Sequence, residues 1–350
     1  MIKQFIGTLC FCFTVLMSLA QAHNVAAVVQ DTKYWTDQVA VNPNNNNAWI
    51  NLYFTKRNDL EQSTAKDLSK THLNELIQIE EEIEVVLPNS AALGYVQYLN
   101  SNFTDDAALQ QAINLEPNNT LIQEQTVNMA TIQNATDQRS SSLMSLKSKG
   151  HLSNPEIEYA KNVLRSIDTG GVLLMNAEED AHPLFYCQDV MQFRPDVQVV
   201  FLDLLQNPSY AQTIAKAIDQ KEDYLSGYDR TKQIAKIISS KYDKLYLSLT
   251  LENDLLRLHS KDAYVTGLVM KVDSKNNMNN LAILEEVWTL YDFQHLMNQQ
   301  AKVNRNYLLP MVQLYKYKKE KGVYVGDLEE QIRQLAAIHD LSELAEQYLN

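Results

Sequence analysis

The residues best suited to chemistry sit in one short run, Asn176-Ala177-Glu178-Glu179-Asp180-Ala181-His182, with Asp203 further along. Glu178, Glu179, Asp180 and Asp203 are oxygen donors of the kind a hard cation takes. Paired carboxylates can also act on a glycosidic bond, at a separation that only folding sets. Asn176 adds an amide that both donates and accepts. His182 is the one imidazole near the run, and imidazole is the side chain that moves protons near neutrality. These six residues form the candidate ligand-binding set. Each also has a plainer role. Asp180 suits the cap of a helix entered through His182-Pro183. The acids match no known metal-loop spacing, and a lone His is more often structural. No catalytic set, metal site or cofactor is therefore assigned. No GxSxG, HExxH, P-loop, CxxC or GxGxxG motif occurs in the chain.

The elements that must position this run follow from hydrophobic patterning. Val172–Met175 is a continuous apolar run, as expected of a strand covered on both faces. Pro183–Phe193 reads as a helix and Val197–Leu205 as a second buried strand. Two such strands around one helix predict a parallel, right-handed βαβ unit. The run 176–182 then falls outside the C-terminal end of the first strand, where open α/β sheets bind ligands. Leu245–Leu251 and Tyr264–Val272 predict two more strands. Tyr210–Ile218 and Asn280–Asn298 read as helices, and Asn306–Leu349 as helices punctuated by Gly322 and Gly326. Arg194-Pro195-Asp196 reads as a turn into the second strand.

The chain as a whole reads as α/β plus all-α. Residues 1–22 carry Lys3, an apolar stretch Phe5–Leu19 and the small-residue box Ala20-Gln21-Ala22, which predicts a cleaved secretory signal peptide. Residues 23–150 predict a helical domain, either of degenerate tetratricopeptide-like repeats or plainly irregular. Asn42–Tyr53 and Ala107–Asn119 are its two repeat-like pieces, the small residues of the second fitting where two helices approach closely. Residues 151–300 predict a small α/β domain, and 301–350 C-terminal helices. Of three cysteines, Cys10 and Cys12 fall in the leader, so only Cys187 remains, read as buried filler. The few cysteines and the leader point to a periplasmic or secreted bacterial protein with no membrane span after cleavage. A net charge of −13 points away from nucleic acid and from anionic membrane surfaces. Lys316–Lys321 is a short basic exception, read as a solvated helix face.

Asn176–Gln188 also resembles a known motif: a strand, an Asn-Gly-Asp-Asn-Asp-Thr loop, then an aromatic, Pro, Leu, an aromatic pair and Gln. It is similar to the soluble C-terminal region of a multi-spanning membrane family, common in Bacteroidota, that includes the transmembrane-protein-260 type O-mannosyltransferases. Arg194–Val200, Leu202, Leu204-Leu205 and Tyr210 resemble the segment that follows. So do Leu245–Thr250, Arg257-Leu258, Tyr264, Gly267-Leu268-Val269 and Tyr307–Gly322. The resemblance runs over residues 155–325. The membrane-spanning transferase half has no counterpart, so a transferase activity does not carry over. The loop departs too: Ala177, Glu178, Glu179 and Ala181 replace the family residues, and only Asn176 and Asp180 keep their type. The expected function is an envelope interaction or scaffold protein without catalytic activity, its partner another protein. The alternative is a glycan-binding or glycan-processing accessory using loop 176–180.

Overall fold

This computed structural model describes residues 30–64, 70–176, 178–218, 230–239, 243–251, 256, 263–273, 280–299 and 301–349. The expected leader lies outside them. Among the described residues eight helices precede the first strand: α1 (Thr32–Val41), α2 (Asn46–Thr64), α3 (Lys70–Val86), α4 (Ala91–Asn100), α5 (Asp106–Leu115), α6 (Thr120–Ile132), α7 (Thr136–Ser148) and α8 (Asn154–Arg165). Then come β1 (Val172–Met175), α9 (Glu178–Phe185), β2 (Gln198–Phe201), α10 (Pro208–Ala217), α11 (Arg230–Ser239) and β3 (Leu245–Ser248). The chain continues through β4 (Ala263–Val265), β5 (Val269–Val272), α12 (Asn280–Trp288), α13 (Leu308–Glu320), α14 (Gly326–Ile338) and α15 (Ser342–Leu349). The architecture is mixed α/β plus helical, as the patterning predicts. Contacts divide the chain into two compact units. One comprises Val25–His151 and Leu202–Lys241; the other includes Leu152–Phe201 and Tyr242–Asn350.

The first unit is helical. Each of α1 to α7 packs on its sequence neighbour, and α2 also packs on α4. Side-chain caps start the helices: Ser90 Oγ accepts from Leu93 N at 3.0 Å and Asp105 Oδ1 from Ala108 N at 3.0 Å. The α4–α5 approach is set by Gly94. A Cβ there would overlap the Ala108 carbonyl oxygen and lie 3.3 Å from Ala112 Cβ. The segment from Leu202 is tied into this unit through Asn207. Its Oδ1 caps α10, accepting from Ser209 N at 2.9 Å, and its Nδ2 donates to Phe103 O at 2.8 Å. Phe103 holds a left-handed backbone, φ 59°, and is buried under the Arg57 guanidinium, 5.7 Å from the ring centroid.

The second unit is built on one sheet of order β2-β1-β3-β5-β4. β1 pairs in parallel with β2 (Val172↔Gln198) and with β3 (Val172↔Leu245). β5 runs antiparallel to both β3 and β4. All four residues of β1 are buried, which fits a parallel strand covered on both faces. Several expected elements are shorter or divided; the strand expected over Leu245–Leu251, for one, ends at Ser248. The strand expected to reach Leu205 stops at Phe201, and Leu202–Gln206 forms a 3₁₀ turn. An apolar run alone does not mark where a strand ends. Tyr264–Val272 is two strands, because Gly267 (φ 138°) turns the chain between them. The helix expected to reach Asn298 ends at Trp288. Beyond it, tertiary contacts override helix periodicity: Asp292 binds α8 and Tyr291 packs beside Trp288 at 5.2 Å.

Helix α8 is fixed at both ends and along its length. Ser153 and Glu156 form a capping box at its start. At its other end Arg194 Nη1 donates to Leu164 O and Ile167 O, both at 2.8 Å. These are carbonyls that the end of a helix leaves unmatched. The Arg194 side chain also holds Asp196 (2.8 Å), whose carboxyl is kept well below the usual carboxylate range, and Asp196 Oδ2 accepts from Gly170 N. The expected turn at 194–196 is thus also a clamp. In mid-helix, fully buried Asn162 donates to Asp292 O (2.6 Å) and Tyr307 Oη (2.7 Å) and accepts from Asp292 N (3.0 Å). Among the described residues, no helix is long and apolar enough to cross a membrane.

Candidate functional site

The strand order creates one position favoured for binding. From β1 the chain moves to β2 on one side and later returns to β3 on the other. Loops leaving β1 and β3 therefore diverge at the C-terminal edge, the switch point at which α/β sheets open a crevice. A crevice is present there. Met175 ends β1 at its floor, Asp180 and Leu184 come from α9, Tyr159 from α8, and Ser248 and Thr250 from the exit of β3. Its free space suits about one water molecule.

The structure places Asn176 directly after β1 and buries it, together with Asp180 and His182 on α9. Among the candidates whose side chains are described, Asp180 alone lines the crevice. Glu178 and Glu179 open α9, and their side chains lie outside the described residues. Asp203 is half-buried in the 3₁₀ turn and belongs to the helical unit. One expectation is corrected. Asp180 is not the cap of its helix but its third residue, because α9 begins at Glu178. Acids in a first turn suit the positive end of the helix dipole, so the helix starts before the acids rather than after them. Pro183 consequently lies inside the helix, which widens into a π-turn at Tyr186–Val190.

Burial sets the protonation of the His182 imidazole and the Tyr159 phenol. Burial lowers the His182 imidazole to about 3, so it is uncharged at neutral pH. Burial, with the nearby Asp180 charge, drives the Tyr159 phenol far above its ordinary value. Tyr159 Oη accepts from Asn306 Nδ2 at 3.2 Å. Ser248 Oγ and Thr250 Oγ1 share a hydrogen bond of 2.8 Å. Burial pushes the Cys187 thiol up to about 12, so it is a poor nucleophile. Among the described residues no group of three His, Cys, Asp or Glu side chains is placed to hold a metal ion.

Sequence reading missed half of this crevice. Tyr159 registers there only as one apolar position of a helix, and Ser248 and Thr250 as the end of a strand. The switch-point rule, which names the exits of both parallel strands rather than one, would have found Ser248 and Thr250, whereas no such signal marks Tyr159 on α8.

Residues 156–321 match the family model described as TMEM260-associated domain 2. The match spans just under half of the chain and takes in the sheet, the crevice and α13. It ties that segment to a domain associated with a membrane-protein family. No curated protein and no solved structure matches the chain.

Proposed function

We propose that this chain is an exported bacterial envelope protein acting as an interaction or scaffold module, without catalytic activity of its own. The observation that carries the reading is how little space the described lining of the switch-point crevice leaves. Its space suits about one water, and the acid and imidazole beside it are buried. A sugar ring or a peptide has no room there. The helical unit instead offers long exposed faces. Its helices packed neighbour on neighbour, and the Gly94 contact with Ala108 and Ala112, support a tetratricopeptide-like array. Its partner would be another envelope protein. Export predicts that the mature chain begins at His23, which N-terminal sequencing of the fractionated protein checks. Pull-down from envelope extracts tests the module; recovery of no specific partner would remove its support.

A second reading keeps one observation in its favour: Asn176 and Asp180 lie at the edge of the sheet where ligands bind, within the segment that matches the TMEM260-associated domain. It makes the chain a glycan-binding accessory. A sugar array compares the chain with an Asn176→Ala/Asp180→Ala variant. Binding that the variant abolishes favours this reading, and binding indifferent to it excludes the loop.

A further inference from the structure

Helix α8 carries a polar stripe that the scaffold reading does not use. Glu158, Asn162 and the C-cap Ser166 recur every four residues, so they share one face of the helix, and all three are buried. Each holds a group from one short run, Tyr291–His295, which belongs to no helix or strand. Ser166 Oγ shares a hydrogen bond with Tyr291 Oη, Asn162 binds both backbone groups of Asp292, and Glu158 Oε1 accepts from His295 N at 2.8 Å. Asn304 Nδ2 also donates to His295 O at 2.7 Å. The run thus takes these backbone bonds from side chains and not from a ladder of its own. With Trp288 it covers aromatic surface. The rings of Trp288, Tyr291 and Phe293 lie 6.3, 6.1 and 6.1 Å from that of Tyr307, which packs on Tyr159 of the crevice wall at 5.6 Å. Of the four side chains that hold the run, only Glu158 carries a carboxyl. It is 7% exposed, accepts one hydrogen bond and makes no ion pair among the described residues.

We propose that Tyr291–His295 is a strap that Glu158 latches while its carboxyl is neutral and loosens once it ionises, baring Tyr307 beside the crevice. A buried carboxylate with one N–H donor and no cation is poorly compensated for the water it has lost. A neutral carboxyl keeps the latch, since its carbonyl oxygen still accepts the His295 N–H. Burial accordingly raises the Glu158 carboxyl above its ordinary value of 4.5. The His295 N–H opposes that rise, the Asp292 charge adds to it, and the His295 ring and Arg165 oppose it. The strapped form therefore binds the proton more tightly than the open form. The latch is complete below about pH 4.5 and weakens as pH climbs through the raised value. The device stands whether or not the helical unit is a scaffold.

The test is hydrogen–deuterium exchange of the full chain from pH 4.5 to 8, corrected for the intrinsic pH dependence of exchange. Opening of the peptide that carries Asp292–His295 should rise with pH, by at most about tenfold per unit while one carboxyl titrates. Peptides from α14 should show no such rise. Glu158→Gln keeps an oxygen for the His295 N–H and removes the charge, so its strap should stay closed at every pH. His295→Gln should leave the rise in place. Opening indifferent to pH in the unsubstituted chain would overturn the proposal. So would a rise that survives Glu158→Gln, or one that His295→Gln abolishes. Should Glu158→Gln unfold, the unsubstituted chain and His295→Gln still decide.

Discussion

Replacing Asn162 with Leu should destabilise the α/β unit by about 3 kcal/mol. Leucine has nearly the shape of asparagine but none of its polar atoms. Asn162 is fully buried and satisfies three groups of the following chain: the Tyr307 hydroxyl, the Asp292 carbonyl and the Asp292 amide. Tyr307 is itself 1% exposed, so its oxygen would lose a partner that water cannot replace. A buried polar group stranded in this way costs about 1–3 kcal/mol. The Asp292 peptide lies nearer solvent and adds about 1 kcal/mol. The sum is a large share of the roughly 5–15 kcal/mol that stabilises an ordinary domain. With a urea m-value of about 2 kcal/mol/M, the midpoint should move down by about 1.5 M. Trp288 packs edge-on to Tyr307 at 6.3 Å and reports on this region once Trp35 and Trp49 are replaced by Phe. A double-mutant cycle with Tyr307→Phe should show coupling of about 1 kcal/mol or more. A loss below about 1 kcal/mol, or strict additivity with Tyr307→Phe, would refute the view that Asn162 keys the later helices to α8.

Three further outcomes follow from particular residues. Gly94→Val should cost about 3 kcal/mol in the helical unit, since the added carbons overlap the Ala108 carbonyl; thermal unfolding by circular dichroism that leaves the midpoint unchanged would contradict the close approach. His182 is held at about 3 when folded against about 6.5 when unfolded, so the unfolded chain binds the extra proton. Its contribution is therefore complete above about pH 6.5 and is lost as pH falls toward 3, at up to about 1.4 kcal/mol per unit. His182→Leu should flatten that acid slope in urea titrations, and an identical slope would show the imidazole is not buried neutral. Arg194→Lys should cost about 1–2 kcal/mol, because an ammonium cannot reach two carbonyls and Asp196 together; urea midpoints equal to those of the unsubstituted chain would rule out the clamp.

What could be read in advance depended on whether the cause was local. Val172–Met175 is apolar on both faces and was legible as a central strand, and the parallel pairing with β2 followed from one helix between two strands. Asp180 was not, because a cap and a first-turn acid look alike in sequence; Glu178 and Glu179 place the helix start two residues earlier. Gly267 lies inside an apolar run and was not legible as a bend; its φ of 138° and the Tyr291 Oη that a Cβ would overlap appear only in the fold. Tyr159, Asp180 and Ser248 are far apart in sequence. They meet only because β1 and β3 pair side by side, and no local pattern encodes that pairing. Arg194 looked like part of a turn, since the carbonyls it caps lie some 30 residues earlier.

On the proposed reading this chain works through the exposed faces of its helical unit and not through the β1/β3 crevice. Quantitative pull-down from envelope extracts tests it most directly, comparing the unsubstituted chain, Asp180→Asn and Ile77→Ser/Val85→Ser. Ile77 and Val85 are exposed on α3, and Asp180 lines the crevice. The expected result is one specific protein partner that the unsubstituted chain and Asp180→Asn retain equally and the α3 variant loses. A partner lost with Asp180→Asn and kept by the α3 variant would contradict it.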